Sequence, residues 1–167
     1  LKLIADPNNS LPAITYWMMG SLSGASMGQL SYVWIPMLAA LVPIIILRWK
    51  MNLLTIEDEE AKTMGINTGR VRIIIIICAT LLTAASVSVS GMIGWVGLVI
   101  PHIARRLVGN DCRILIPTAA VTGGIFLIIV DDFARSLYTT ELPLGVLTAF
   151  IGAPFFIYLM TRRGVSD

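Results

Sequence analysis

Charged residues divide this chain into blocks, and the apolar runs between them set its architecture. From Arg72 to Arg105 there is no intervening Asp, Glu, Lys or Arg. The stretch opens on Ile73–Ile77 and closes on GMIGWVGLVIP, with Gly91, Gly94, Gly97 and Pro101 crowded at its end. At about 1.5 Å per helical residue it is much longer than the roughly 30 Å hydrocarbon core of a bilayer. It predicts one full crossing, a glycine-rich break and a short returning half-helix. Non-helical backbone at membrane depth is tolerated only where protein or a water-filled cavity covers it. Gly91, Gly94, Gly97 and Pro101 are therefore the candidate break lining a path.

The other runs place the remaining elements. ADPNNSLP has the residues of a loop, and Ala13–Met19 follows as a short apolar helix leading into GSLSGAS. Tyr16 and Trp17 suit a membrane–water interface. Val33–Leu47 is the first span, expected to be kinked or irregular at its start because it holds Pro36 and Pro43. The long span covers Val71–Ser90, and the half-helix Val96–Leu107. Ile114–Val130 and Leu142–Met160 complete the set. The expected fold is all-α: a polytopic membrane bundle of about four full spans plus a broken half-helix, forming one transmembrane domain over residues 1–167.

Composition agrees with this. Apolar residues make up 56% of the chain and charged residues 13%, about half the charge content of a soluble domain. The charges lie at segment ends rather than along every helix face, as a soluble bundle would have them. The basic residues are not interleaved with aromatics, so nucleic acid is not an expected partner. Cys78 lies in an apolar run and Cys112 in a polar loop, which argues against a disulfide and against a metal site. No basic segment precedes an apolar one at the start, so no signal peptide is expected, and the chain begins at Leu1 as if cut from something longer.

Charge also orients the bundle. Crossing parity groups the Arg48–Arg72 loop, the Arg105–Arg113 turn and the Arg162–Arg163 tail. Of the 12 basic residues, all but Lys2 and Arg135 then fall on one side, which the positive-inside rule makes cytoplasmic.

Three polar features remain. In NLLTIEDEEAKTMGINTGR, Thr55 is a suitable N-cap, and Glu57–Glu60 follow where the helix dipole favours negative charge. Gly65 ends that helix, and Ile66 opens a second. Two short helices at the membrane surface would suit a cytosolic partner, and the same spacing suits a solvated loop without one. In DDFAR, Asp132 and Arg135 are three apart and fit an intrahelical pair. His102, the single histidine, lacks a ligand partner at metal-binding spacing and fits a structural role. Gly20, Gly24, Gly123, Gly124, Gly145 and Gly152 suit close helix packing.

The segments WMMGSLSGAS (Trp17–Ser26), GWVGLVIPHIARRLVGND (Gly94–Asp111), DDFAR (Asp131–Arg135) and ELPLGVLTAFIGAPFF (Glu141–Phe156) occur together with the Glu59-Glu60-Ala61…Gly65 loop. In that order and spacing they resemble the FecCD/BtuC-type permeases of ABC importers, which take up iron–siderophores, haem and cobalamin. Such permeases are about twice this length, so the chain looks like the C-terminal half of one. One position departs from the pattern: Asp58 stands where the family usually has Gly.

The resemblance implies roles for particular residues. Glu59, Ala61 and Gly65 would belong to coupling helices, within a cytoplasmic loop over residues 55–69, that fit a cleft of the ATPase subunit. Arg135 would meet a carboxylate of an extracytoplasmic substrate-binding protein. The implied partners are a cytosolic ATPase subunit pair, a second permease copy, that binding protein and the lipid bilayer. The implied location is a bacterial or archaeal cytoplasmic membrane, with the C-terminus cytoplasmic. The chain has no GxxxxGK[ST] phosphate loop, so ATP hydrolysis is expected on a separate subunit, with no enzyme activity or cofactor here. An ion-coupled secondary transporter would need ionisable residues mid-span, and none is evident. An intramembrane enzyme would need a Gly-x-Gly-Asp or His-Glu-x-x-His element, and neither occurs.

Overall fold

The computed structural model describes residues 10–22, 24–55, 67–136 and 142–163. Six α-helices carry most of them: α1 Ser10–Met18, α2 Met27–Met51, α3 Thr68–Ser90, α4 Val96–Val108, α5 Cys112–Ser136 and α6 Leu144–Arg163. A 3₁₀ turn, Asn52–Thr55, continues α2. No strand occurs among the described residues.

The helix starts are set by caps that the apolar pattern alone does not show. α2 begins at Met27 rather than at Val33, because Ser26 and Gln29 form a capping box. The Ser26 hydroxyl accepts from the Gln29 N–H at 3.3 Å, and the Ser26 N–H donates to the Gln29 side chain at 3.2 Å. Such a box satisfies two otherwise orphaned donors. The helix then continues through Pro36 and Pro43, both inside it, to Met51. Each proline removes only one rung of the ladder. α3 starts at Thr68, where the Asn67 side chain accepts from the Arg70 N–H at 3.0 Å.

α2 packs along α3, α4 along α5, and α6 against both α4 and α5. Four helices each bury small residues, Ala40 on α2, Cys78 and Ala85 on α3, Ala104 on α4 and Ala134 on α5, beside larger ones such as Val71, Ile100, Leu115 and Val130. Small side chains let backbones approach, and dispersion between close helices then replaces the hydrophobic drive that lipid removes. Many large apolar side chains point outward, with Tyr32 80%, Ile128 70% and Phe150 75% exposed. In water such a surface would aggregate; in a bilayer, lipid solvates it.

α2 with its 3₁₀ turn, α3 and α5 are each long and apolar enough to cross a membrane. The apolar part of α6, Leu144–Leu159, is shorter. At 1.5 Å per residue it reaches about 24 Å, a few ångströms less than the hydrocarbon core.

The two ends of the bundle are tied differently. At one end, the Asn52 amide donates to Asp111 Oδ1 at 2.6 Å and accepts from the Cys112 N–H at 2.8 Å. This brings the end of α2 against the turn between α4 and α5, as crossing parity requires. At the other end, the Ser21 N–H donates to the Ser90 carbonyl at 2.9 Å, and the Gly145 N–H to the Met19 carbonyl at 3.2 Å. A buried cluster of Val130, Ala134 and Leu144, with Leu22, Ile93, Phe126 and Leu147 around it, fills that end.

Candidate functional site

The break lies where the sequence places it. α3 ends at Ser90, α4 starts at Val96, and residues 91–95 between them are not helical. Gly91 caps α3 with φ 66°, a conformation natural to glycine and strained for other residues. A Cβ there would strike the Trp17 carbonyl. Gly94 has open space where a side chain would go. Gly97 has the same open space but sits in the first turn of α4, past the break. Pro101 lies inside α4 and has no N–H for the Gly97 carbonyl four residues earlier.

Trp95 is the focus of the break. It is the N-cap of α4 with φ 67°, the one left-handed non-glycine residue among those described. A left-handed backbone costs a bulky residue about 1–3 kcal/mol and persists only where the surroundings impose it. Here the imposition comes from α6. The Trp95 side chain lies on Gly152, and its ring meets Phe156 edge-on at 6.2 Å between centroids.

Beside the break is an open groove of about 770 Å³. Its walls are Met18 and Met19 from the end of α1, Met92, Gly94 and Trp95 from the break, and Gly145, Val146, Ala149, Phe150, Ala153 and Pro154 from α6. Its lining is almost wholly apolar, so it offers shape and soft methionine surface rather than a charged binding centre. Trp17 donates its indole N–H to the Ser88 carbonyl at 3.4 Å. Thr148, buried behind Gly145, donates to the Gly145 carbonyl at 3.1 Å.

Arg135 sits near the C-terminal end of α5, the end opposite Asp111, and its side chain is 51% exposed. Its ion-pair partner is Asp131 at 2.9 Å, not Asp132 as the three-residue spacing suggested. On an α-helix the four-residue spacing brings the guanidinium directly over the carboxylate. His102 meets the Phe155 ring edge-on at 5.9 Å, in keeping with the packing role expected of it. Glu59, Ala61 and Gly65, with the coupling helices expected around them, lie outside the described residues.

The sequence groups Gly20, Gly24, Gly123, Gly124, Gly145 and Gly152 as packing positions, and the structure separates them. Gly145 approaches the Met19 carbonyl, Gly152 receives Trp95, and Gly20, with φ 73°, faces the Met92 carbonyl. Gly24 and Gly124 meet nothing nearby. The spacing Gly145…Gly152, two helical turns on one face, was the available signal for a helix surface closely approached by its neighbours, by the Met19 carbonyl at Gly145 and by the Trp95 side chain at Gly152.

These features define a class: a helical membrane protein with a re-entrant break sealed by neighbouring loops and bordering an apolar groove. The FecCD transport family model matches residues 1–162. The molybdate import permease MolB of Haemophilus influenzae is 38% identical over 170 aligned positions, covering 100% of this chain and 50% of that protein. The ferric citrate import permease YfmE of Bacillus subtilis is 42% identical, covering 96% of this chain and 47% of its own length. The cobalamin import permease BtuC of Halobacterium salinarum is 37% identical, at 98% and 44%. A solved metal-chelate type ABC transporter in an inward-facing conformation superposes with a TM-score of 0.89 at 38% identity, over 96% of this chain and 52% of that one. The chain belongs to the FecCD transport family and is embedded in a membrane. It spans about half the length of the curated relatives it matches.

Proposed function

We propose that the chain is the C-terminal half of the transmembrane subunit of a binding-protein-dependent ABC importer. The observation that carries this reading is the family match over residues 1–162, in a fold whose one re-entrant break borders an open groove. The permease moves its cargo by ATP-driven alternating access, with hydrolysis on a separate pair of cytosolic ATPase subunits. A second permease copy completes the pathway, and an extracytoplasmic binding protein delivers the cargo. The cargo class is a metal chelate, cobalamin or a metal oxyanion, as the named relatives suggest, or haem, as the resemblance of the motifs implies. It crosses intact, and no residue of this chain is asked to ligate the metal.

In this reading residues 55–69 form the cytoplasmic coupling loop, with Glu59, Ala61 and Gly65 seated in the ATPase cleft. A compact knob between two helices transmits motion as a body. Gly91, Gly94, Gly97 and Pro101 belong to the moving wall of the pathway, and Arg135 docks the binding protein. The test uses the full permease with Cys78 and Cys112 replaced and a single cysteine at Thr63. A crosslink to the ATPase subunit, with a yield that changes on adding ATP, supports the coupling loop. Absence of any crosslink at Thr63 and its neighbours, with both proteins folded in the membrane, removes it.

A further inference from the structure

We propose that Asn52 and Asp111 form a positioning clasp that makes the α4–α5 turn move with the end of α2 during the transport cycle. The proposal rests on the importer reading above and adds a mechanical link to it.

Asn52 is both the residue that ends α2 and the first of the 3₁₀ turn leading toward the coupling loop. Its amide reaches across to a turn 59 residues later in sequence. It donates to Asp111 Oδ1 at 2.6 Å while its oxygen accepts from the Cys112 N–H at 2.8 Å. Asp111 Oδ1 also accepts from the Arg113 N–H at 2.9 Å. The first N–H groups of a helix have no partner within it. α5 therefore starts on two caps, one from Asp111 and one borrowed from α2.

This arrangement differs from ordinary capping because it is shared between separate helices. Two antiparallel hydrogen bonds between Asn52 and the 111–112 backbone and side chain fix orientation as well as distance. Hydrogen bonds to a carboxylate are roughly twice as strong as neutral ones. A displacement of the loop that follows α2 is thereby delivered to the turn at the C-terminal end of α4. α4 is short and rigid, with Ala104 fully enclosed, and its opposite end is Trp95 at the groove. The clasp thus joins the end of α2 to the groove wall through Asp111, the α4–α5 turn and α4. The charges around the carboxylate are Arg113 and Arg48, both favourable to its ionised form.

The experiment uses the full permease with its ATPase subunit and binding protein in nanodiscs, reading basal ATP hydrolysis, hydrolysis stimulated by the binding protein, and thermal stability. Asn52→Ala removes both bonds of the Asn52 side chain and is expected to reduce the ratio of stimulated to basal hydrolysis by about fivefold or more, since a single net hydrogen bond of about 1 kcal/mol already corresponds to about fivefold. Asn52→Asp sets two carboxylates against each other and should do at least as much. The exchanged pair Asn52→Asp with Asp111→Asn restores the link between the two side chains, with its direction reversed, and an acceptor for the Cys112 N–H, but not the Arg113 N–H contact made by the same Asp111 oxygen, so it should raise the ratio well above that of Asn52→Asp without reaching the wild-type value. A pure cap would lower stability and leave the ratio per folded complex unchanged in all three, and that result overturns the proposal. If Asn52→Ala does not fold, the exchanged pair against Asn52→Asp still decides. A wild-type complex that neither assembles nor hydrolyses ATP overturns the importer reading first, and the clasp's role with it.

Discussion

Trp95 rests on Gly152. A Cβ built on Gly152 would lie within 2.8 Å of three heavy atoms of the indole-bearing side chain. The helix break and α6 are thus fitted to each other at one residue on each side, and the left-handed backbone of Trp95 is held in place by that fit. Gly152→Ala should force the indole or the break to shift and cost about 1–3 kcal/mol, the usual penalty of overpacking. Thermal unfolding of the purified full permease in detergent measures it. Trp95→Gly in the same background should recover part of the loss, because it removes the Cβ and Cγ that crowd position 152 and suits the left-handed backbone.

The glycines of the break should differ sharply from one another. Gly91→Ala meets both a left-handed φ and the Trp17 carbonyl, so it should destabilise by roughly 2 kcal/mol or more. Gly94→Ala enters open space at φ below zero and should leave stability within about 0.5 kcal/mol of wild type. Similar losses for the two variants would show that the local geometry is not what the glycines serve.

Removing the caps should loosen helix starts without disturbing the bundle. Asn67→Ala deletes the acceptor for the Arg70 N–H and should cost about 1 kcal/mol. Asn67→Asp should retain most of that stability, since a carboxylate caps equally well and favours the positive end of the helix dipole. Amide hydrogen exchange at Arg70 and Val71 reports it locally.

Acid should open the Asn52–Asp111 clasp. The Asn52 side chain, then the Arg113 N–H, hold the Asp111 carboxyl below its ordinary value of 3.8, with the Arg113 and Arg48 charges adding to this and slight desolvation opposing it. A depressed carboxyl contributes its stability above the unfolded-state value and loses it as pH falls through the folded one. The contribution is therefore complete at neutral pH and disappears only below about 3.8. Exchange protection of the Cys112 and Arg113 amides should be flat from pH 7 to about 5 after correction for intrinsic rates and should fall in stronger acid. In Asp111→Asn that acid step should be absent.

Arg135 provides a test of docking that is read apart from stability. Its exposed pair with Asp131 contributes about 0.2–1 kcal/mol, and Arg135→Glu, which sets like charges on one helix face, should add a loss of similar size, so association is read per folded complex. Association of the binding protein with the reconstituted importer should slow on the order of tenfold at low salt, with the difference shrinking at high salt. An unchanged association rate would leave Arg135 with its helix-end ion pair and no docking role.

Much of this protein was legible from the order of its residues. The apolar run Arg72–Arg105 requires a crossing and a return because of its length alone, and Gly91–Trp95 breaks because its glycines sit where the helix has left the far side. α4 was placed to within a residue at its end, since arginines and Gly109 stop it. α2 and α3 began earlier than their hydrophobicity suggested, because Ser26…Gln29 and Asn67 act through hydrogen bonds that an apolar count does not register. Arg135 pairs with Asp131, four residues back, rather than with Asp132, three back; both spacings face each other on a helix, and only the folded side-chain geometry chose between them.

The sequence determined which segments lie in the membrane and where the chain breaks, since hydropathy and glycine act locally and are read residue by residue. The tertiary structure alone decided that Gly152 receives Trp95, that Asn52 caps a helix begun at Cys112, and that Met18, Met92 and Phe150 share one groove. Those pairings join residues tens of positions apart. They depend on close packing and hydrogen-bond direction in three dimensions, which no one-dimensional pattern of polarity contains.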